Sequence, residues 1–395
     1  MRIRELSKLW SLICGFAAML LIVNEAQADS NVKIGWLTSL TGALSSAAIA
    51  ENQGVQLAVE EINVSGGILG RKIELVTRDT AGDPTKAVNF AQQVIFSEKV
   101  DAIIGPVNSG EGLAAIPMIA RSGILNIVIG ALDDLVSPEK FPRAFRVINT
   151  NTQWINTANN YAVKTLKKTK IALIGDTTGY GTASAKSATE MLEKLGVKPV
   201  YSVLLDPNKI DLADEIAKAK AAGADVLMPW SAATGLLGRL LNARGDMGWK
   251  VTVVGHPALM APQIRKLLNK PEYWNDTFAA GYSSTTFNAD GKLPPRTQAL
   301  LDKIRPKLGG GEVDVMFWWV ALGYDTVKII EHAAKTAGSF DQAAMQTALE
   351  NTREYPGVYG TYSWSAQQRN GFPDIGMTMN VANTFKVGAF KIAPR

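Results

Sequence analysis

The residues best able to do chemistry in this chain sit in short loops rich in glycine, serine and threonine. Val107-Asn108-Ser109-Gly110-Glu111-Gly112 follows an apolar run and opens a helical pattern. Small residues there let backbone N–H groups point outward, and Ser109 adds a hydroxyl. The loop suits either an anion such as a carboxylate or an ordinary cap of a helix. Thr177-Thr178-Gly179-Tyr180-Gly181 holds the matching place farther along, where Tyr180 offers an amphipathic wall. Trp230 and Ser231 close one apolar run, and His256 follows another at Gly255. A tryptophan in such a place serves packing or recognition; a lone histidine serves structure or ligand contact.

Covalent catalysis finds few parts. No serine sits in G-x-S-x-G, because Val107 stands where the elbow at Ser109 needs glycine. Walker, H-E-x-x-H and G-x-G-x-x-G patterns are missing as well. Asp133-Asp134 are adjacent carboxylates whose side chains point apart and meet solvent. Trp318-Trp319 lie in the most apolar helical pattern and read as packing. The chain has one cysteine (Cys14) and two histidines (His256 and His332). That count excludes a disulfide framework and leaves no set for a Cys/His zinc site, so no metal or cofactor is expected. A net charge of +5 over 395 residues gives no footing for nucleic acid.

The elements that must position these loops follow from periodicity. Residues 32–37, 72–77, 102–105 and 124–129 read as strands, separated by helical patterns at 51–63, after Asp83-Pro84, and after the Ser109 loop. The cycle restarts near residue 170 with strands at 170–175, 200–204, 226–229 and 251–255 and helices at 183–195 and 212–222. Helices at 297–307, 316–337 and 342–351 and a tail of short strands follow. Alternation of this kind predicts an α/β fold of two doubly wound parallel-sheet lobes, too long for one compact domain. Ligands of such sheets sit at the carboxyl ends of the strands, so the cleft between the lobes is the expected site.

The first residues read as an address. Arg2, Arg4 and Lys8 precede an apolar stretch from 9 to 23, and Ala26-Gln27-Ala28 supplies small residues for cleavage after Ala28. The stretch is shorter than the about 20 residues that a membrane span needs. The expected product is exported, periplasmic and not inserted in a membrane, and it loses Cys14 with the signal peptide 1–28.

Glu61-Ile62-Asn63-Val64-Ser65-Gly66-Gly67-Ile68-Leu69-Gly70-Arg71-Lys72-Ile73-Glu74-Leu75, continued by Asp79-Thr80-Ala81-Gly82-Asp83-Pro84-Thr85-Lys86-Ala87-Val88, resembles a known family. It is similar to the type I periplasmic binding proteins of branched-chain amino acid ABC transporters, the leucine/isoleucine/valine-binding group. Thr41-Gly42, the strand at 101–105 and Gly179-Tyr180-Gly181 fit in order, over residues 30–395. The resemblance implies three chain crossings, near 145–155, 278–285 and 355–362, making a hinge. One lobe would then hold residues 29–150 plus 283–358, the other 151–282 plus 359–395. It also implies a receptor, not an enzyme, that closes on a small solute and hands it to a membrane permease driven by a cytoplasmic ATPase. Carried over residue by residue, Ser109 and Gly130-Ala131-Leu132 hold a ligand carboxylate and Tyr180 walls the site.

Two departures bear on the ligand. Relatives usually have a threonine where Leu132 stands, and an acid that pairs with the α-ammonium where this chain has Gly255-His256-Pro257-Ala258. An ammonium buried without an anion costs several kcal/mol. The expected ligand is therefore a carboxylate without an α-amine, aromatic or a related organic acid, set against Tyr180 or Trp230 with His256 on an oxygen. Asn108 and Ser231 complete the expected lining. An amino acid is the alternative, admitted if Asp133 or Asp134 turns into the cleft. An amide- or urea-type solute in a sensor role, and a secreted two-lobed enzyme, are the others.

Overall fold

The computed structural model describes residues 31–310 and 313–394, so the expected signal peptide lies outside the described residues. β1 (Val32–Thr38) leads into α1 (Ser45–Val64), whose buried face includes Ala47, Ala48, Val55, Ala58 and Ile62. The helix begins well before the expected Glu51, because its serine and alanine start carries little apolar signal although alanine is the best helix former. β2 (Ile73–Asp79) is followed by α2 (Pro84–Gln92). The Asp83 carboxylate begins α2 as expected, accepting from the N–H groups of Thr85 at 2.7 Å and Lys86 at 3.1 Å. β3 (Ala102–Ile104), α3 (Ser109–Ser122), β4 (Asn126–Val128) and β5 (Ala144–Arg146) complete a parallel sheet in the order β2-β1-β3-β4-β5.

A helix not anticipated from periodicity, α4 (Asn151–Asn160), carries the chain toward a second sheet. Its start is a reciprocal pair: Thr150 Oγ1 accepts from Gln153 N–H at 3.1 Å, and Gln153 Oε1 accepts from Thr150 N–H at 2.7 Å. The cycle then restarts through β6 (Ile171–Asp176), α5 (Gly179–Lys194), β7 (Tyr201–Leu205), α6 (Ala213–Ala221) and β8 (Val226–Trp230). It ends with α7 (Thr234–Asp246), β9 (Thr252–Gly255) and β10 (Thr277–Tyr282).

Three helices follow, α8 (Pro295–Ile304), α9 (Phe317–Ala337) and α10 (Gln342–Glu350), and α9 packs along α1 on the first sheet's side. The hairpin of β11 (Tyr355–Pro356) and β12 (Thr361–Tyr362) leads on to β13 (Met377–Val381). β13 pairs antiparallel with β10, so the second sheet, β13-β10-β9-β8-β6-β7, is parallel except at that edge. The parallel pattern stops there because no crossover helix returns the chain directly from β10. The result is two doubly wound α/β lobes.

One hydrogen-bonded cluster joins the segments that run between the sheets. Asp325, midway along α9, accepts from Val358 N–H (2.8 Å), Tyr359 N–H (2.8 Å) and Tyr362 OH (2.9 Å). Burial pushes this carboxyl up to about 7 against those three donors. Tyr359 OH donates to Asn149 Oδ1 at 2.7 Å, and its ring lies 4.8 Å from that of Tyr282 at the end of β10. Tyr282 OH accepts from Trp154 Nε1 at 3.0 Å. These connecting segments are thereby joined to α4, and through Trp154 to the cavity.

Candidate functional site

A small cavity of about 40 Å³ opens where strands of both sheets end. Its wall takes Leu44 and Ala47 from beyond β1, Val107, Asn108 and Ser109 from beyond β3, and Ile129 and Ala131 from beyond β4. Ile148 follows β5, Thr178 and Tyr180 follow β6, Ala232 follows β8, and His256 follows β9. Trp154 of α4 and Trp319 of α9 complete it. The place is the one expected for open α/β sheets, at the carboxyl ends of the strands.

Two helix N-termini face each other across this cleft. At α3, Asn108 Oδ1 accepts from Gly110 N–H (2.6 Å) while Asn108 N–H donates to Glu111 Oε2 (3.2 Å). Asn108 Oδ1 is thus spent on the cap. Ser109 Oγ accepts from Leu132 N–H at 3.3 Å, which leaves the hydroxyl proton to be donated to a ligand oxygen. At α5, Thr178 Oγ1 accepts from Gly181 N–H at 3.0 Å and donates to Asp176. The two ends meet backbone to backbone: a Cβ placed on Gly179 would lie 3.0 Å from Gly110 Cα. Oriented N–H groups at both ends favour negative charge.

Aromatic rings form the opposite wall. His256 lies edge-on to Trp154 (5.1 Å between centroids) and Tyr180 (5.3 Å), with Trp230 behind it at 6.4 Å. His256 Nδ1 accepts from Ala258 N–H at 3.0 Å, which places the ring proton on Nε2. Burial pulls the imidazole down to about 3, so at neutral pH it is an uncharged donor. The Tyr180 hydroxyl is buried, and its pKa is held well above the usual range, chiefly by burial. Among the described residues no acidic side chain lines the cavity.

Among the residues expected from sequence, Asn108, Ser109, Ala131, Tyr180 and His256 line the cavity, and Gly130, Leu132, Trp230 and Ser231 do not. Gly130 packs against Ser109 and Leu135. Leu132 acts through its backbone, giving its N–H to Ser109 and its carbonyl to Arg146. Trp230 is wholly buried, and Ser231 Oγ accepts from Ala233 N–H at 3.1 Å. Asp133 turns away to Thr152, accepting from its N–H at 3.2 Å and its hydroxyl at 3.0 Å, and Asp134 is exposed. Trp318 is buried against Phe390 (5.6 Å), whereas its neighbour Trp319 reaches the cavity. Trp154 was missed with its helix; the Thr150–Gln153 capping signal marks that helix. Among the described residues no helix is long and apolar enough to cross a membrane, and no cluster could hold a metal ion.

A buried neutral histidine ties stability to pH. Its folded pKa lies below the ordinary 6.5, so its contribution is full above that value and is lost as pH falls toward about 3. Asp325 has the opposite sign: its pKa is raised, so the fold gains as pH falls through about 7. His256→Asn, which keeps an acceptor for Ala258 N–H, is therefore expected to gain stability relative to the parent chain between pH 7 and pH 4. The gain is on the order of 3 kcal/mol, since about 2.5 pH units lie between the ordinary pKa and pH 4 and each is worth about 1.36 kcal/mol. A Tm difference that stays constant over that range would show that the imidazole titrates in the fold as it does in the unfolded chain.

A family model described as "Periplasmic binding protein" matches residues 31–382. A Leu/Ile/Val-binding protein of Rhizobium johnstonii is 27% identical over 341 residues, covering 85% of this chain and 88% of that one. The branched-chain amino acid transporter substrate-binding protein of Streptococcus pneumoniae, solved with isoleucine, superposes with a TM-score of 0.78 at 24% identity, covering 92% of this chain and 99% of that one. A solute-binding protein of an ABC transporter from Rhodopseudomonas palustris, solved with 4-hydroxybenzoate, gives a TM-score of 0.72 at 20% identity, covering 89% and 92%.

Proposed function

We propose, from the premise that this chain belongs to the periplasmic binding protein family, that it captures a small aromatic or related organic acid between its two lobes. It is a solute-binding receptor of the ABC-transporter type and not an enzyme. In this reading it is exported with cleavage after Ala28, works in the periplasm and delivers its solute to a membrane permease. The lobes comprise residues 29–150 plus 283–358 and 151–282 plus 359–395, and they close by bending at the three crossings.

The observation that carries the ligand class is the charge of the cavity wall. A carboxylate finds the Ser109 hydroxyl proton and two helix N-termini. An α-ammonium finds no carboxylate: Asp133 is engaged by Thr152, and His256 offers a donor where an acceptor is needed. Tyr180, Trp154, His256 and Trp319 suit a flat ring. Kinship with Leu/Ile/Val-binding proteins favours the rival reading, an amino acid.

A thermal-shift screen separates them. Benzoate and 4-hydroxybenzoate are expected to raise Tm by several degrees at about 100 times Kd, where ligand binding contributes about 2.7 kcal/mol. Leucine, isoleucine, valine, acetamide and urea are expected to leave Tm unchanged. A rise with leucine and none with the aromatic acids rejects the proposal in favour of the amino acid.

A further inference from the structure

α1 and α9 touch almost backbone to backbone. A Cβ on Gly54 would fall 1.9 Å from the Val320 carbonyl oxygen, and one on Gly323 would fall 2.1 Å from that of Glu51. At this contact Glu51 is wholly buried, and among the described residues neither of its carboxyl oxygens has a hydrogen-bond partner. Burial raises its pKa well above the ordinary carboxyl range, so the group is a neutral acid. An orphaned buried carboxyl is unusual and opposes folding. Asp325, on the same pair of helices, shows how this fold satisfies a buried acid when it has only a structural part to play: three donors converge on it.

Position explains what Glu51 faces. Ala47, one turn before it on α1, lines the cavity, and so does Trp319, one turn before Gly323 on α9. Helical side chains lean toward the N-terminus of their helix. The Glu51 side chain, whose Cγ lies close to Gly323, is therefore carried back toward the wall formed by Ala47 and Trp319. Glu51 is not itself among the residues that line the cavity, but Ala47, with only a methyl for a side chain, is its neighbour one turn away on the same face of α1. This wall belongs to α1 and α9, not to α3 and the loop after β4, where the carboxylate seat is.

We propose that Glu51 is a specificity-determining residue of the cavity, hydrogen-bonding a hydroxyl at the end of the solute remote from its carboxylate. The inference rests on the aromatic-acid reading above and narrows it to hydroxy-substituted acids. A neutral carboxyl carries one donor and one acceptor, and a phenolic hydroxyl carries the same pair, so each satisfies the other. Unsubstituted or methyl-substituted rings leave Glu51 as it is, buried and unpaired. A site built to pair with a hydroxyl discriminates strongly against analogues that lack one.

Calorimetric titration of the full chain and of Glu51→Leu and Glu51→Gln with 4-hydroxybenzoate, benzoate and 4-methylbenzoate tests this. The parent chain is expected to prefer 4-hydroxybenzoate to the other two by about tenfold or more, the scale of one buried hydrogen bond. Glu51→Leu is expected to lose that preference while binding benzoate within about threefold of the parent chain, and its ligand-free Tm is expected to stay level or rise, since an unpaired acid has gone. Glu51→Gln, which keeps a donor and an acceptor, is expected to retain part of the preference. Equal affinity of the parent chain for the three acids, or a preference that survives Glu51→Leu, overturns the role of Glu51 and leaves the aromatic-acid reading standing. If none of the three acids binds the parent chain, that reading and this inference fall together.

Discussion

Gly179→Val is expected to weaken ligand binding by about 100-fold or more while leaving the ligand-free Tm nearly unchanged. The asymmetry follows from where the residue sits. Gly179 opens α5 on one lobe and lies against Gly110 at the start of α3 on the other, close enough that a single Cβ would already stand 3.0 Å from Gly110 Cα. The two γ carbons of valine reach farther, so the helix ends must separate. Within its own lobe Gly179 is exposed, and its backbone is not left-handed, so valine strains nothing when the lobes are apart. On the proposed reading, what is lost is the convergence of both helix ends on one carboxylate, and a loss of about 2.7 kcal/mol is 100-fold in affinity. Gly110→Val is a poorer probe, because its Cβ would also meet Asn108 Oδ1 at 3.1 Å and disturb the α3 cap. Titration with the acid that best raises the parent Tm reads the affinity, and X-ray scattering reads the closure. A variant that binds within threefold of the parent chain, or compacts with ligand as the parent does, would show that these helix ends do not limit closure.

How much of this was visible in the sequence depends on the range of the signal. The β-α alternation is local, and caps such as Asp83-Pro84 mark helix starts within a few residues, so the doubly wound architecture was legible. Loops at strand ends were legible for the same reason, and Ser109, Tyr180 and His256 do meet in one cavity. Helix α4 was not anticipated because its surface positions are polar and its buried ones few: Trp154, Ile155 and Ala158 with two asparagines. Trp154 was hidden with it, although it is the ring that connects His256 to Tyr282. Helix α7 was overlooked despite Leu236, Leu237, Leu240 and Leu241 at helical spacing. Which member of the Trp318-Trp319 pair reaches the cavity depends on α9 packing against α1, a contact between segments far apart in the chain. The same contact isolates Glu51, whose place in the α1 periodicity is that of a buried residue but whose lack of a partner only the packed fold reveals.

Arg146→Met is expected to lower stability by about 3 kcal/mol and Tm by about 5 °C or more, the range for removing the donor from a buried, hydrogen-bonded charge. Arg146 ends β5 just before the chain leaves the first sheet, and it is wholly buried. Its guanidinium donates to the Leu132 carbonyl and, at 2.9 Å, to Asn370 Oδ1. Its backbone N–H donates to the Arg369 carbonyl at 2.8 Å, and its own carbonyl accepts from Trp364 Nε1 and Gly371 N–H, both at 3.0 Å. Burial pulls the guanidinium down to about 10, with the charges of Asp133 and Asp134 opposing that pull, so it remains a cation at neutral pH. Methionine fills much of the space but leaves the Leu132 carbonyl without its donor. On the proposed reading the consequence reaches the ligand, because Leu132 N–H is the group that engages Ser109 Oγ. A loosened Leu132 frees the Ser109 hydroxyl to rotate, so binding is expected to weaken by about tenfold in addition to the stability loss, the scale of one hydrogen bond to a charged group. Arg146→Lys keeps the charge without the planar fork and is expected to fall between the two. Denaturant melts and titrations of the three proteins check both effects. A methionine variant as stable as the parent chain would mean that the Leu132 loop and the segment around Asn370 hold their places without the bridge between them.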